Sequence, residues 1–195
     1  MEAGSKVATQ AQAKPAALPR YFYRLSARAQ SVYLRSNNIE RFELTPGRAA
    51  CAMLTALMNA LEEGAPAVVE RGAQILVSEL CRGLGVRPVR VEVRGVRPRN
   101  GYSELHGIFY PRGPARRVAA GRTTMAAEPL IVLWMRTARR HDVVKPKTFV
   151  RTLMHELAHY LDSTLLKLGD SYHTAGFFKR ESYLVRMLFQ PAYEP

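Results

Sequence analysis

The sequence predicts an α+β domain in which helices come first and last and a small mixed or antiparallel sheet lies between them. Three observations predict it. Apolar residues recur at helical spacing from Tyr21 to about Leu80, and again from Pro146 onward. Between these blocks Val89, Val91 and Val93 alternate with Arg90, Glu92 and Arg94, the period of a half-exposed strand. Leu130 to Met135 (LIVLWM) is a continuous apolar run too short for a helix, and it matches a strand buried on both faces.

Each element has its own local reason. Residues 1–19 are rich in Ala, Gln, Lys and Pro without a period, and are expected to be a disordered tail. Residues 20–195 are expected to form one domain, helical over 20–86, with the sheet and the site helices over 87–195. Tyr21, Leu25, Ala29, Val32 and Tyr33 share a helical face, so a first helix runs from Tyr21 to Leu34 and ends near Ser36-Asn37-Asn38. Thr45-Pro46 opens a second, because threonine caps and proline is tolerated at the first helical position. Gly64 closes it, and Pro66 starts a third that carries Val68, Val69, Ile75, Leu76 and Leu80 before the glycines at 83 and 85.

After the alternating strand, Arg99-Asn100-Gly101 supplies a turn, and Tyr102 to Tyr110 is expected to return as the second strand of a hairpin. Residues 111–128 read as a long loop. Helices are expected over Pro146–Leu168 and Thr174–Phe189.

Composition excludes several classes. A chain of 195 residues with 47% hydrophobic content buries a substantial core. No apolar run approaches the roughly 18 residues of a membrane span, and the first twenty residues lack the apolar stretch of a secretory signal. The cytoplasm is the expected location, with no membrane partner. Cys51 and Cys81 stand too far apart for a metal or redox pair and are expected to be reduced helix residues.

Charge is unevenly spread. The formal net charge is +13, and between Arg82 and Arg151 sixteen Lys or Arg stand against four acidic residues. Such a field attracts polyanions, so segment 82–151 is a candidate for sequence-blind, salt-sensitive contact with nucleic acid. The alternative is a basic surface that serves solubility alone, and no aromatic-interleaved RNA-binding motif accompanies the charge.

The chemistry is concentrated in Leu153-Met154-His155-Glu156-Leu157-Ala158-His159-Tyr160. Residues four apart on a helix face the same way, so His155 and His159 can share one metal ion while Glu156 projects beside it. This HExxH pattern points to one Zn2+ per chain, a water acidified toward neutral pH, and Glu156 as general base. The stripe Phe149, Leu153, Leu157, Leu161 on the same helix turns the histidines toward a cleft. A catalytic zinc takes three protein ligands, and His173 and Glu181 are the downstream candidates. Two helical turns, about 12 Å, separate them, so one ion cannot take both. Asp162 is a candidate acceptor behind a ligand histidine, and Tyr172, Tyr160 and Tyr183 are candidate oxyanion donors.

HELAH followed by His173-Thr-Ala-Gly-Phe177 resembles the SprT-like zinc metalloproteases, whose pattern is HExxH, then a histidine usually followed by glycine, with an aromatic residue four positions later. The resemblance covers about 45 residues, Thr148 to Phe189. It implies a minimal zincin-like fold, ligands His155, His159 and His173, Glu156 as base, and a protein or peptide substrate. In zincins generally a strand preceding the active helix offers its edge to an extended substrate, which makes Tyr102–Tyr110, with His106 on it, the implied substrate strand. The chain departs from the family at Thr174, where glycine is usual, and has no zinc-ribbon cysteines. A gluzincin arrangement would place Glu181 on the metal instead. Two other readings stand beside peptidase activity of this kind: a non-catalytic zinc-stabilised module that binds nucleic acid, and a regulatory peptidase of the ImmA type that cuts one repressor.

Overall fold

The computed structural model describes residues 18–44, 48–100, 103–113 and 128–189. The expected tail, the Thr45-Pro46 helix start, the Gly101-Tyr102 part of the turn and most of the 111–128 loop lie outside the described residues.

The first helix differs from expectation. Arg20–Arg24 is a separate 3-10 turn, and α1 spans Ala27–Asn38. Ser26 divides the two, because its hydroxyl accepts from the Ala29 amide at 3.3 Å and starts a new helix there. Helix α2 spans Arg48–Glu63 and α3 spans Pro66–Gly83. Gly64 joins them at φ +74°, a left-handed conformation that costs glycine nothing.

Strand β1 covers Arg90–Val96, and a two-residue hairpin follows, β2 at Arg99–Asn100 and β3 at Ser103–Glu104. Then come β4 at Gly107–Tyr110 and β5 at Leu130–Arg136. The sheet order is β1-β5-β4, with β1 parallel and β4 antiparallel to β5. The expected return strand therefore does not pair with β1. Burial explains the insertion: Leu130 to Met135 are all buried, and only the central position covers both faces of such a strand and both of its edges. Ile131, Leu133 and Met135 face the main core, while Leu130, Val132 and Trp134 form a smaller cluster on the other side with Ile108.

The two edges of this sheet are treated differently. Along β1, α3 supplies side chains in place of a fourth strand: the Val91 amide donates to Gln74 Oε1 at 2.8 Å and the Val93 amide to Glu70 Oε2 at 2.9 Å. Gln74 Nε2 also donates to the Val89 carbonyl at 3.0 Å. Side-chain capping of this kind blunts an edge. At β4, the His106 carbonyl accepts from the Trp134 amide, so in the antiparallel ladder the peptide groups of Gly107 and Phe109 point away from β5.

Helix α4 spans Pro146–Thr164 and α5 spans Ala175–Phe189. Phe149, Leu153, Leu157 and Leu161 on α4 are fully buried against the sheet and α2, each contributing about 1.5–3 kcal/mol. Thr174 caps α5, its hydroxyl accepting from the Phe177 amide at 3.0 Å. Threonine at this position thus has a structural task that glycine cannot perform. Among the described residues no helix is long and apolar enough to cross a membrane.

Candidate metal centre

The packed stripe of α4 sets the direction of the opposite face, where His155 and His159 stand one turn apart. His173 reaches them from the segment between α4 and α5. The three Nε2 atoms converge: 3.3 Å between His155 and His159, 3.1 Å between His159 and His173, and 3.1 Å between His155 and His173. Nitrogens about 2.0–2.1 Å from a tetrahedral zinc lie about 3.3 Å from one another, so the cluster has the dimensions of one three-imidazole site. Phe177, buried, lies beneath all three rings at centroid distances of 5.1, 4.5 and 5.1 Å.

The outer nitrogens explain why the inner ones are available. His155 Nδ1 lies 3.0 Å from Glu181 Oε2 and donates to that carboxylate. His159 Nδ1 lies 2.7 Å from Ser171 Oγ, and Ser171 gives its own proton to Asp162 Oδ2 at 2.8 Å. Ser171 must then accept from His159. With both Nδ1 atoms protonated, the Nε2 atoms of His155 and His159 are lone pairs aimed at each other. Neutral imidazoles cannot satisfy one another in this arrangement, and a cation between them does so. Burial, reinforced by the nearby His155 and His173, pulls His159 down to about 3, and burial lowers His173 as well. Both rings stay neutral, the form that binds metal.

Glu181 and Asp162 therefore stand behind the histidines. Burial would raise the Glu181 carboxyl, but the hydrogen bond from His155 and the Arg151 guanidinium hold it below its ordinary value. Arg151 Nε is its partner at 3.1 Å. Arg180, one residue before Glu181 on α5, turns to Asp162, with Nε 3.1 Å from Oδ1 and Nη2 2.9 Å from Oδ2. Its Nη1 donates to the carbonyls of Ser36 and Ile39 at the end of α1, and Nη2 to Ser36 Oγ. A hydrogen-bonded chain thus runs from α1 through Arg180, Asp162 and Ser171 to His159.

Glu156 lies one residue along α4 from His155 and is 7% exposed. Burial raises its carboxyl to about 7, against the opposing influence of His155 and a hydrogen bond from the Phe109 amide. A dication on the neighbouring imidazoles favours the carboxylate and draws that value back down. The cleft in front of it, about 360 Å³, is walled by His106, Gly107, Thr152, Arg151, His155 and Glu156 among others.

Gly107 brings β4 against α4. A Cβ added there would stand 2.7 Å from Thr152 Cγ2, 2.9 Å from Leu133 Cδ2 and 3.0 Å from Glu156 Cγ. Replacing Gly107 by Ala is expected to cost about 1–3 kcal/mol of stability, read from the midpoint of denaturant unfolding. A glycine inside a strand is the sequence signal for such close approach. Ser171 carried no comparable signal.

Expectations for four residues are redirected. Tyr172 turns its hydroxyl to Asp170 Oδ2 at 3.2 Å and its ring toward Tyr33. Tyr160, in the core, donates to the Arg87 carbonyl and half-buried Tyr183 to the Leu44 carbonyl, so each hydroxyl is engaged away from the cluster. His106 sits in the link just before β4 and not on a strand, with Nε2 3.4 Å from Arg97 Nη1. Part of the basic segment is structural: Arg97 is buried beside Glu104, and Arg136 donates to the carbonyls of Gly64 and His141. Comparison of the chain with protein-family models, curated proteins and solved structures finds no match.

Proposed function

We propose that the protein is a zinc-dependent metallopeptidase of SprT-like type, with His155, His159 and His173 as ligands and Glu156 as general base. The observation that carries this reading is the convergence of three Nε2 atoms, those of His155 and His159 fixed by their Nδ1 partners, next to the buried Glu156 carboxyl on α4. Among the described residues no fourth His, Cys, Asp or Glu joins the cluster. Three protein ligands with an open side favour catalysis over a closed structural site.

Zinc at this position supplies a Lewis acid and a water acidified toward neutral pH. The chain's own groups do the rest. Glu156, held by the Phe109 amide, takes a proton and returns it to the departing amine. Gly107, with its outward amide and carbonyl, and the Phe109 carbonyl face an extended substrate that adds to β4 as another strand, while the Phe109 amide stays on Glu156. The capped β1 edge supports this assignment, since among the described residues β4 is the edge beside Glu156 that no further strand covers. Cytoplasmic location fits the two free cysteines.

The charge of segment 82–151 favours a second reading, a zinc-stabilised nucleic-acid-binding module without turnover. A repressor-specific peptidase of the ImmA type would share the site and differ only in substrate range.

Metal content per chain, measured by mass spectrometry on purified protein, tests the ligand set. We expect about one zinc in wild type, loss in His155→Ala and in His173→Ala, and retention in Glu181→Ala with affinity lowered roughly tenfold or more. Absence of zinc from wild type after reconstitution would defeat the proposal. Loss with Glu181→Ala but not His173→Ala would move the third ligand to Glu181.

A further inference from the structure

A second depression adjoins the cleft. It measures about 390 Å³ and is lined by Lys147, Arg151, Ser182, Val185, Arg186 and Phe189. Arg151 lines both cavities, so its guanidinium is the boundary between them. Helix α4 contributes Lys147 and Arg151, one turn apart, and α5 contributes Arg186 together with half-buried Val185 and Phe189. Among the described residues no acidic side chain lines this space.

Of its three cations, Arg151 is paired with Glu181 and the other two are not neutralised by any described residue. Among the described residues neither Lys147 nor Arg186 has an ion-pair partner within 4.0 Å. The Lys147 ammonium stands 5.9 Å from the centre of the Phe189 ring, and the Arg186 guanidinium 5.8 Å from that of Tyr183. Arg151 spends Nε on Glu181, yet its side chain is 66% exposed and its terminal nitrogens have no partner among the described residues. The first turn of α4 has neither an acidic residue nor a side-chain cap, which adds to the positive potential here.

We propose that this cavity is a subsite for acidic side chains of the substrate. The inference rests on the peptidase reading and gives it a substrate class: peptides with Asp or Glu close to the scissile bond. Lys147 lies eight residues before His155 on α4, about 12 Å along the axis, and an extended peptide covers that in about four residues. Apolar Val185 and Phe189 accept the methylenes of a glutamate, and Arg151 and Arg186 bind its carboxylate. A peptide is favoured over a nucleic-acid phosphate because Arg151 belongs to both cavities, so the occupant continues the chain that lies in front of Glu156.

The test uses the full-length, zinc-loaded chain and three otherwise identical twelve-residue peptides, acetylated and amidated, carrying a Glu-Glu, Gln-Gln or Lys-Lys pair. Binding is read by fluorescence anisotropy on the Glu156→Gln protein, and kcat/KM by wild-type cleavage. The Glu peptide is expected to bind at least tenfold tighter than the Gln peptide, and the Lys peptide more weakly than either. Lys147→Glu with Arg186→Glu should invert that order, and Lys147→Gln with Arg186→Gln should reduce it to about twofold, with zinc content retained.

Equal binding of the Glu and Gln peptides would overturn the subsite, as would a preference that survives the charge reversal. So would a Gln peptide with a free C-terminus that binds as tightly as the Glu peptide, since the pocket would then read a chain terminus. Single-stranded DNA binding lost on charge reversal, with all three peptides bound alike, would assign the cations to nucleic acid. Preferential binding of the Glu peptide without cleavage of any peptide by wild type would leave the subsite standing and remove the peptidase reading. Cleavage of the Glu and Gln peptides at equal kcat/KM would do the reverse.

Discussion

Glu156→Gln is expected to keep zinc and fold while lowering turnover by about 10²–10⁴-fold. The amide has the shape of the carboxylate and can still accept from the Phe109 amide, but it cannot hold a proton taken from water. Metal content and peptide binding should match wild type, so the loss should appear in kcat more than in KM. Stability supplies an independent check. In the metal-free protein the Glu156 carboxyl is raised from near 4.5 to about 7, first by burial. Below about pH 4.5 it is protonated in both the folded and unfolded chain and has no effect on stability. As pH rises from there to 7 the folded state holds the extra proton, and wild type loses stability on the order of a few kcal/mol. The glutamine variant does not titrate. Its melting temperature should exceed that of metal-free wild type at pH 8 and match it near pH 4. A variant that still turns over at the wild-type rate would sink the assignment of the base.

Arg180→Leu is the substitution expected to damage the fold most. Arg180 is fully buried and partners Asp162, which is also inaccessible. Its removal strands a buried carboxylate and leaves the Ser36 and Ile39 carbonyls without their donor. Breaking such a pair costs about 3–5 kcal/mol, a drop of about 10 °C or more in the melting temperature of a chain of this size. The comparison is Arg151→Leu, whose pair with Glu181 is two-thirds exposed on the arginine side and contributes at most about 1 kcal/mol. Adding Asp162→Leu to Arg180→Leu should recover part of the loss, because the stranded charge goes with it. Since Asp162 fixes Ser171, and Ser171 fixes His159, zinc affinity should fall along with stability. Equal losses in Arg180→Leu and Arg151→Leu would show that the buried network is not what joins α1 to the site.

Gly176 belongs to the same junction. A Cβ there would stand 2.3 Å from the Ser36 carbonyl oxygen and 2.5 Å from that of Asn37, so α5 can meet the end of α1 only through a glycine. With Thr174 bonded to Ser36, this contact sets the position of the segment that carries His173.

Local pattern was enough to determine much of this protein. The helix carrying His155, Glu156 and His159 declares its buried face through Phe149, Leu153, Leu157 and Leu161, because helical period converts spacing directly into direction. The unbroken run from Leu130 to Met135 likewise announces a strand with no solvent-facing side. Only the tertiary structure decided which strand neighbours which, that Glu181 stands behind His155 while His173 faces the other two rings, and that Arg180 answers Asp162 and α1 instead of Glu181. These are pairings between residues tens of positions apart, and they leave no periodic trace in the chain. Hydrogen-bond partners and close approaches are chosen by packing geometry, and that geometry exists only once β5 has taken the centre of the sheet and α1 has met α5.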